Sequence, residues 1–258
     1  MTHKCWAKSL GDCGGGITRE HPLSRCVYPD QEIVVSGFDF CKSESIKLHI
    51  NSLTAKILCK NHNERLGKEV DQTGGHLFEV IRAFTKRRNQ QAEFPNLSWQ
   101  PIEYRIDVKK LERWFLKVML GIGFGHNLVI GSEPIECGEV SPLLARIAFG
   151  LDDFPAGQGL YIAFRDKETF QLEDLFRYTT KAKGSNLLMG YFQTHGLRFY
   201  LNLEPTGGSI YQRIEDSCVF YRKVHFIEST QDLSSPFAST LSALIQRPNS
   251  FTQKLSIS

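Results

Sequence analysis

Cysteine placement is the strongest constraint on this chain. Cys5, Cys13, Cys26, Cys41 and Cys59 lie within the first sixty residues, and only Cys137 and Cys218 follow. Seven is an odd number, and the opening MTHKCWAKSLGDC lacks the apolar stretch of a secretory signal. The expectation is a reducing cytoplasmic address rather than a disulfide framework. A short segment so rich in thiols is held by something other than a large core. Its spacing supplies a candidate: Cys59-Lys-Asn-His62 is a pair with a two-residue gap, and Cys5 and Cys13 form a looser pair. Structural Zn²⁺ sites gather four Cys or His ligands as two short pairs, so Cys5, Cys13, Cys59 and His62 are the candidate ligands. His3, Cys26 and Cys41 are spare candidates, and inert buried cysteine is the plainer alternative.

The rest of the chain reads as an α+β protein. Apolar residues make up 41% and charged residues 23% of 258 residues, as in an ordinary globular chain. No run approaches the ~20 apolar residues that cross a bilayer, so no membrane association is expected. Residues 1–90 carry 14 Lys/Arg against 10 Asp/Glu, and residues 91–258 carry 17 against 18. That slight basic excess permits a nucleic-acid partner without demanding one. After Cys59, Leu66 and Val70 predict a short helix from about His62, which Gly74-Gly75 interrupts. Leu77, Phe78, Ile81 and Phe84 predict a second helix over 76–88, closed by Lys86, Arg87 and Arg88. The polar, proline-bearing NQQAEFPNLSWQP at 89–101 predicts a linker between a unit at 1–90 and a domain at 100–258.

Beyond the linker, Val108, Leu111, Trp114, Phe115, Val118 and Met119 recur at helical spacing, with Gly121, Gly123 and Gly125 ending the helix. A GxGxG string after a helix is not a dinucleotide fingerprint, which needs a strand before it. Short aromatic and branched runs at 159–164, 186–193, 197–203 and 218–228 predict a mostly antiparallel sheet, and 236–246 predicts a further helix. His76, His126, His195 and His225 have no partner spacing and read as structural or surface residues. Trp114 reads as core, and no motif in this half carries a recognisable chemistry.

One constellation remains. Glu20 and His21 follow a glycine-rich turn, and Pro22 makes His21 extended rather than helical. Asn63 directly follows His62, where it could also cap a helix. The order Cys5…Cys13…Thr18-Arg19-Glu20-His21-Pro22…Thr54…Cys59-Lys-Asn-His62-Asn63…Gly67…Asp71 resembles the HNH endonucleases, also called ββα-metal or His-Me finger nucleases, in branches with zinc-binding cysteines around the motif. The resemblance covers about residues 1–75.

It implies a zinc-knotted ββα-metal unit that hydrolyses phosphodiester bonds in DNA. His21 matches the histidine that activates water, and Glu20 and Asn63 match ligands of a catalytic Mg²⁺ or Mn²⁺. The central asparagine that orients the histidine would fall near Thr54, with Asn51 three residues too early. The second cysteine of the usual pair is His62, which changes the ligand set. By the same resemblance, the 100–258 domain would target, regulate or assemble the nuclease through a protein partner or oligomer, as in bacterial antiviral defence and mobile-element proteins. The competing expectation is a non-catalytic zinc module that binds nucleic acid or a protein, with His21 merely structural.

Overall fold

A computed structural model describes residues 5–27, 32–37, 39–41, 44–98, 103–104, 106–125, 128–136, 138–163, 175–183, 186–194, 197–217, 219–220, 226–227 and 242–243. The first strands are β1 (Ile17–Glu20), β2 (Glu32–Ser36), β3 (Ile46–His49) and β4 (Ala55–Cys59). Three helical segments follow without a break: α1 (Lys60–Leu66), a π turn (Gly67–Asp71) and α2 (Gln72–Glu93). Next come β5 (Glu103–Tyr104), α3 (Val108–Gly125), β6 (Val129–Ile130) and α4 (Pro142–Ala148). The second half holds β7 (Gly159–Ala163), β8 (Leu175–Lys183), β9 (Asn186–Thr194), β10 (Leu197–Asn202) and α5 (Ser209–Ser217). Three two-residue strands close it: β11 (Val219–Phe220), β12 (Phe226–Ile227) and β13 (Ser242–Ala243).

This is an α+β fold with a mostly antiparallel sheet. The large sheet runs β11-β7-β10-β9-β8-β2-β3, with β6 alongside β9. Among the described strands, β2 with β8 and β6 with β9 pair in parallel within it. Alternation on β9 and β10 buries Phe192 and Phe199, whose rings lie 4.8 and 4.9 Å from that of Phe115 on α3. The strands expected at 159–164, 186–193 and 197–203 are all present. Of 218–228, the pieces 219–220 and 226–227 are described and are extended. The helix expected over 236–246 is overturned at Ser242–Ala243, which pair antiparallel with β12, and the rest of that stretch lies outside the described residues.

The glycines were misread as helix breakers. Helix α2 runs through Gly74 and Gly75 to Glu93, so the interruption, the end at Arg88 and the linker's first residues are all corrected. Tertiary packing overrides propensity here: a Cβ on Gly74 would lie 2.4 Å from the Trp114 ring, and one on Gly75 would press on Cys26. Helix α3 likewise continues through Gly121 and Gly123 to Gly125. A side chain on Gly121 would meet Pro22 and Ile57, and one on Gly123 would meet Ile130 at 2.7 Å. These glycines let α2, α3 and the first strands approach each other closely.

Helix α3 is buried on nearly every side, which is why its apolar stripe is so broad. One face packs on the large sheet and another on β4 and α2. Residues on both sides of the linker thus share one hydrophobic cluster, including Trp6, Leu58 and Phe78 together with Trp114, Phe149 and Phe199. The β2–β3 hairpin also joins the large sheet through β8. The segments 1–90 and 100–258 are therefore continuous in core and sheet. No helix among the described residues is long and apolar enough to cross a membrane.

Candidate functional site

Two sites meet on one β–β–α unit. Strands β1 and β4 pair antiparallel, with Ile17 opposite Cys59 and Glu20 opposite Ala55, and α1 leaves directly from Cys59. The glycine-rich turn before β1 docks on the start of α1: Lys60 N–H donates to the Gly16 carbonyl at 2.9 Å, and Asn61 N–H to that of Gly14 at 3.3 Å. This closure brings Cys5 and Cys13 to Cys59 and His62.

Those four side chains gather their ligand atoms within 4.8 Å of one another and could hold a metal ion. The Sγ atoms of Cys59, Cys5 and Cys13 lie 3.2, 3.3 and 3.7 Å from His62 Nδ1. His62 is 1% exposed, and its other nitrogen, Nε2, lies 2.8 Å from Asp12 Oδ1. A carboxylate in that position fixes the ring and leaves Nδ1 for the metal. Asp12 adopts φ +45°, a left-handed conformation that aspartate tolerates, at the turn that presents it.

The electrostatics are compatible with a bound cation. Burial pushes the Cys5 thiol up. Burial and the neighbouring Cys5 and Cys59 charges push Cys13 up to about 12. Burial also acts against ionisation of Cys59, but backbone N–H groups at His62 and Gly14 more than offset it and hold that thiol below its ordinary value. Three thiols around one nitrogen cannot all ionise comfortably, and a bound cation removes the conflict. Replacement of Asp12 by alanine is expected to weaken metal retention by about 10- to 100-fold. Competition with a chromophoric chelator measures it, and unchanged retention removes Asp12 from the site.

The second site is an open pocket of about 320 Å³ whose lining includes Arg19, Glu20, His21, Arg25, Asn63 and Asp71. It brings together all three residues proposed from the HNH-like pattern. His21 Nε2 donates to Asn51 Oδ1 at 3.2 Å. The asparagine that contacts His21 is Asn51 and not a residue near Thr54. The 3-10 turn Ile50–Ser52 carries it back to His21, a compaction that residue counting misses. The amide oxygen only accepts, so Nε2 carries the proton and Nδ1 is the basic nitrogen. Burial, with the charges of Arg25 and Lys117, holds the His21 imidazolium below the ordinary histidine range, and the Asn51 bond opposes them.

Asn63 lies inside α1 and is not its cap. Its Nδ2 donates to Thr18 Oγ1 at 3.0 Å and to the Arg19 carbonyl at 3.1 Å, stapling the helix to β1. Both amide hydrogens are spent there, which leaves Oδ1 as an acceptor.

Glu20 is only 3% exposed. Its Oε1 lies 2.7 Å from Lys117 Nζ, and that ammonium also lies 2.6 Å from Asp71 Oδ1. Ser24 Oγ donates to the same Asp71 oxygen and accepts from Trp114 Nε1 at 2.8 Å. Burial raises Glu20, while Lys117 pulls it back. Burial alone would lower Lys117, but the two carboxylates more than reverse it and keep the ammonium charged. Removing one partner of such a buried pair costs about 3–5 kcal/mol, so this contact fixes the geometry.

The chain matches no known family model, curated protein or solved structure. Lys117, Asp71, Ser24 and Asp12 were missing from the sequence-derived site. Lys117 did leave a signal: it is the single charge inside the apolar run WFLKVMLGIGF. Trp114 is core, as expected, although its indole N–H serves this network. His76 is exposed and lies 3.9 Å from Glu79, whereas His126, His195 and His225 lie outside the described residues.

Proposed function

We propose that this chain is a metal-dependent endonuclease that hydrolyses phosphodiester bonds in DNA, in the manner of the HNH enzymes that residues 1–75 resemble. The observation that carries this reading is the His21–Asn51 contact at 3.2 Å, in an open pocket that Glu20 and Asn63 also line. A histidine with one nitrogen held by an acceptor and the other basic suits the removal of a proton from water. Arg19 and Arg25 are exposed at the pocket and supply positive charge for a phosphate.

The residues fit a hard divalent ion. Glu20 offers a carboxylate, Asn63 an amide oxygen, and Mg²⁺ keeps waters and phosphate oxygens for its other positions. Such an ion, Mg²⁺ or Mn²⁺, would stabilise the charge that develops on the phosphate and the leaving oxygen. The chain's own task is to hold His21 by Asn51, anchor Glu20 and keep α1 on β1 through Asn63. Zn²⁺ is the metal we assign to Cys5, Cys13, Cys59 and His62. A tetrahedral zinc with the usual arms of about 2.3 Å to sulfur and 2.0 Å to nitrogen has S···N edges near about 3.5 Å. The 3.2–3.7 Å separations support that assignment. With its ligands all protein, that zinc would be structural.

The test is a plasmid-nicking assay with Mg²⁺ or Mn²⁺, with and without chelator, on zinc-loaded protein. Metal-dependent nicking is the expected result, and its absence on supercoiled, linear and single-stranded DNA alike would leave the binding-module reading in its place. Asn51→Ala is expected to reduce nicking about tenfold or more through misplacement of His21, as loss of a positioning contact does. An unaffected rate in that variant removes Asn51 from the mechanism.

A further inference from the structure

We propose that Lys117 is a positioning residue of the pocket, which anchors the Glu20 carboxylate from behind and so sets the affinity of the pocket for a divalent cation. This rests on the reading above, in which Glu20 offers an oxygen to that ion.

Three observations carry it. First, Lys117 comes from α3, beyond the linker, yet its side chain is only 2% exposed and its Nζ touches both Glu20 Oε1 and Asp71 Oδ1. Second, Glu20 and Asp71 line the open pocket whereas Lys117 is not part of its wall, so the ammonium stands behind them. Third, the contacts to Asp71 from Lys117 and Ser24 both fall on Oδ1, and Oδ2 is the oxygen on the side of Gly67, itself a pocket residue.

The arrangement is that of a carboxylate held by a partner on its far side while its front serves a ligand, the role that outer contacts play around metal ligands. The setting of Lys117 is equally fixed. Trp114, one turn earlier on α3, bonds to Ser24, and Gly121, one turn later, packs on Pro22 and Ile57. The backbone that carries the lysine is therefore fixed against Pro22, Ser24 and β4. Through it, the docking of α3 reaches the cation-binding oxygen of the pocket.

Charge and position can be separated experimentally. Lys117→Met alone removes a positive charge, which by itself favours cation binding. The double variant K117M/D71N removes one charge of each sign, so the net charge around Glu20 stays at its wild-type value while the anchor is lost. Mn²⁺ binding to full-length, zinc-loaded protein is measured by calorimetry, beside zinc content and thermal midpoint. The expected result is Mn²⁺ affinity at least about tenfold weaker in K117M/D71N at unchanged zinc content, with Lys117→Arg close to wild type. K117Q/D71N, which keeps the net charge and most of the volume, is the second variant should the first fail to fold, and the same loss is expected.

Wild-type affinity in folded K117M/D71N or K117Q/D71N overturns the role of Lys117 and leaves the nuclease reading intact. Equal losses in Lys117→Arg and K117M/D71N overturn it too, because a guanidinium can still pair with both acids. If the wild type binds no Mn²⁺ beyond the zinc cluster, or Glu20→Gln binds it as well as wild type, the assignment of Glu20 fails and this inference falls with it.

Discussion

Nicking by His21→Ala is expected to fall by about 10²–10⁴-fold, the usual contribution of a positioned general base. Alanine removes the only imidazole in the pocket lining and leaves Asn51, Glu20 and Asn63 where they are. The fold should tolerate the change. His21 gives up one hydrogen bond, to the exposed Asn51, a loss worth about 0.5–1.5 kcal/mol. The Cys/His cluster sits at the other end of β1, near Ile17 and Cys59, so metal content should not move. Equal zinc content with lost nicking separates a chemical role from a structural one. Wild-type nicking by His21→Ala would refute the assignment outright, and a loss accompanied by lost zinc would recast His21 as a structural residue.

Asn51→Ala should fall less far than His21→Ala, because the base is still present but free to turn. That ordering is specific to the proposed geometry. A simple structural role for His21 gives no reason for the pair to act on the same rate in graded steps.

The Cys5, Cys13, Cys59 and His62 cluster could be read from the sequence because short ligand pairs leave a local mark. C-x-x-H at Cys59 and the Cys5/Cys13 pair needed no knowledge of the fold to be matched. The strands of the large sheet were legible for the same reason, since a period of two and turn residues are local. What failed was everything decided by tertiary contact. Gly74 and Gly121 look like helix breakers in isolation, yet each is the point where another element touches the helix. Asn51 lies 30 positions from His21, and only the folded chain, with its 3-10 turn at Ile50–Ser52, shows that the two touch. Lys117 lies 97 positions from Glu20, and a lone lysine in an apolar helix reads equally well as a snorkelling surface charge. Nothing short of the packing of α3 on β1 and β4 could show that it points inward.

Cys59→Ser, or stripping of the metal, is expected to cause the largest loss of stability. Structural zinc contributes about 10–16 kcal/mol in small zinc-dependent peptides, against a total stability of about 5–15 kcal/mol for a whole domain. Even a loss of 5 kcal/mol corresponds to a fall in Tm of about 10–20 °C for a chain of this size. Cys59 concentrates the effect because it ends β4, starts α1 and touches the shared nitrogen of His62. Without it, the turn carrying Cys5, Asp12 and Cys13 loses its tie to α1, and Asn63 loses its fixed place on β1. Nicking should therefore vanish along with the thermal midpoint, unlike the His21 variant, in which only nicking is lost. Cys26→Ser is the control: that thiol is exposed, outside the cluster, and donates to the Asp71 carbonyl. Its Tm should stay near wild type, with zinc released by denaturation still close to one per chain. A Cys59→Ser protein that melts like wild type and retains zinc would mean that the thiols are inert core residues, and the β–β–α unit would then have to be held by its packing against Phe149 and α3 alone.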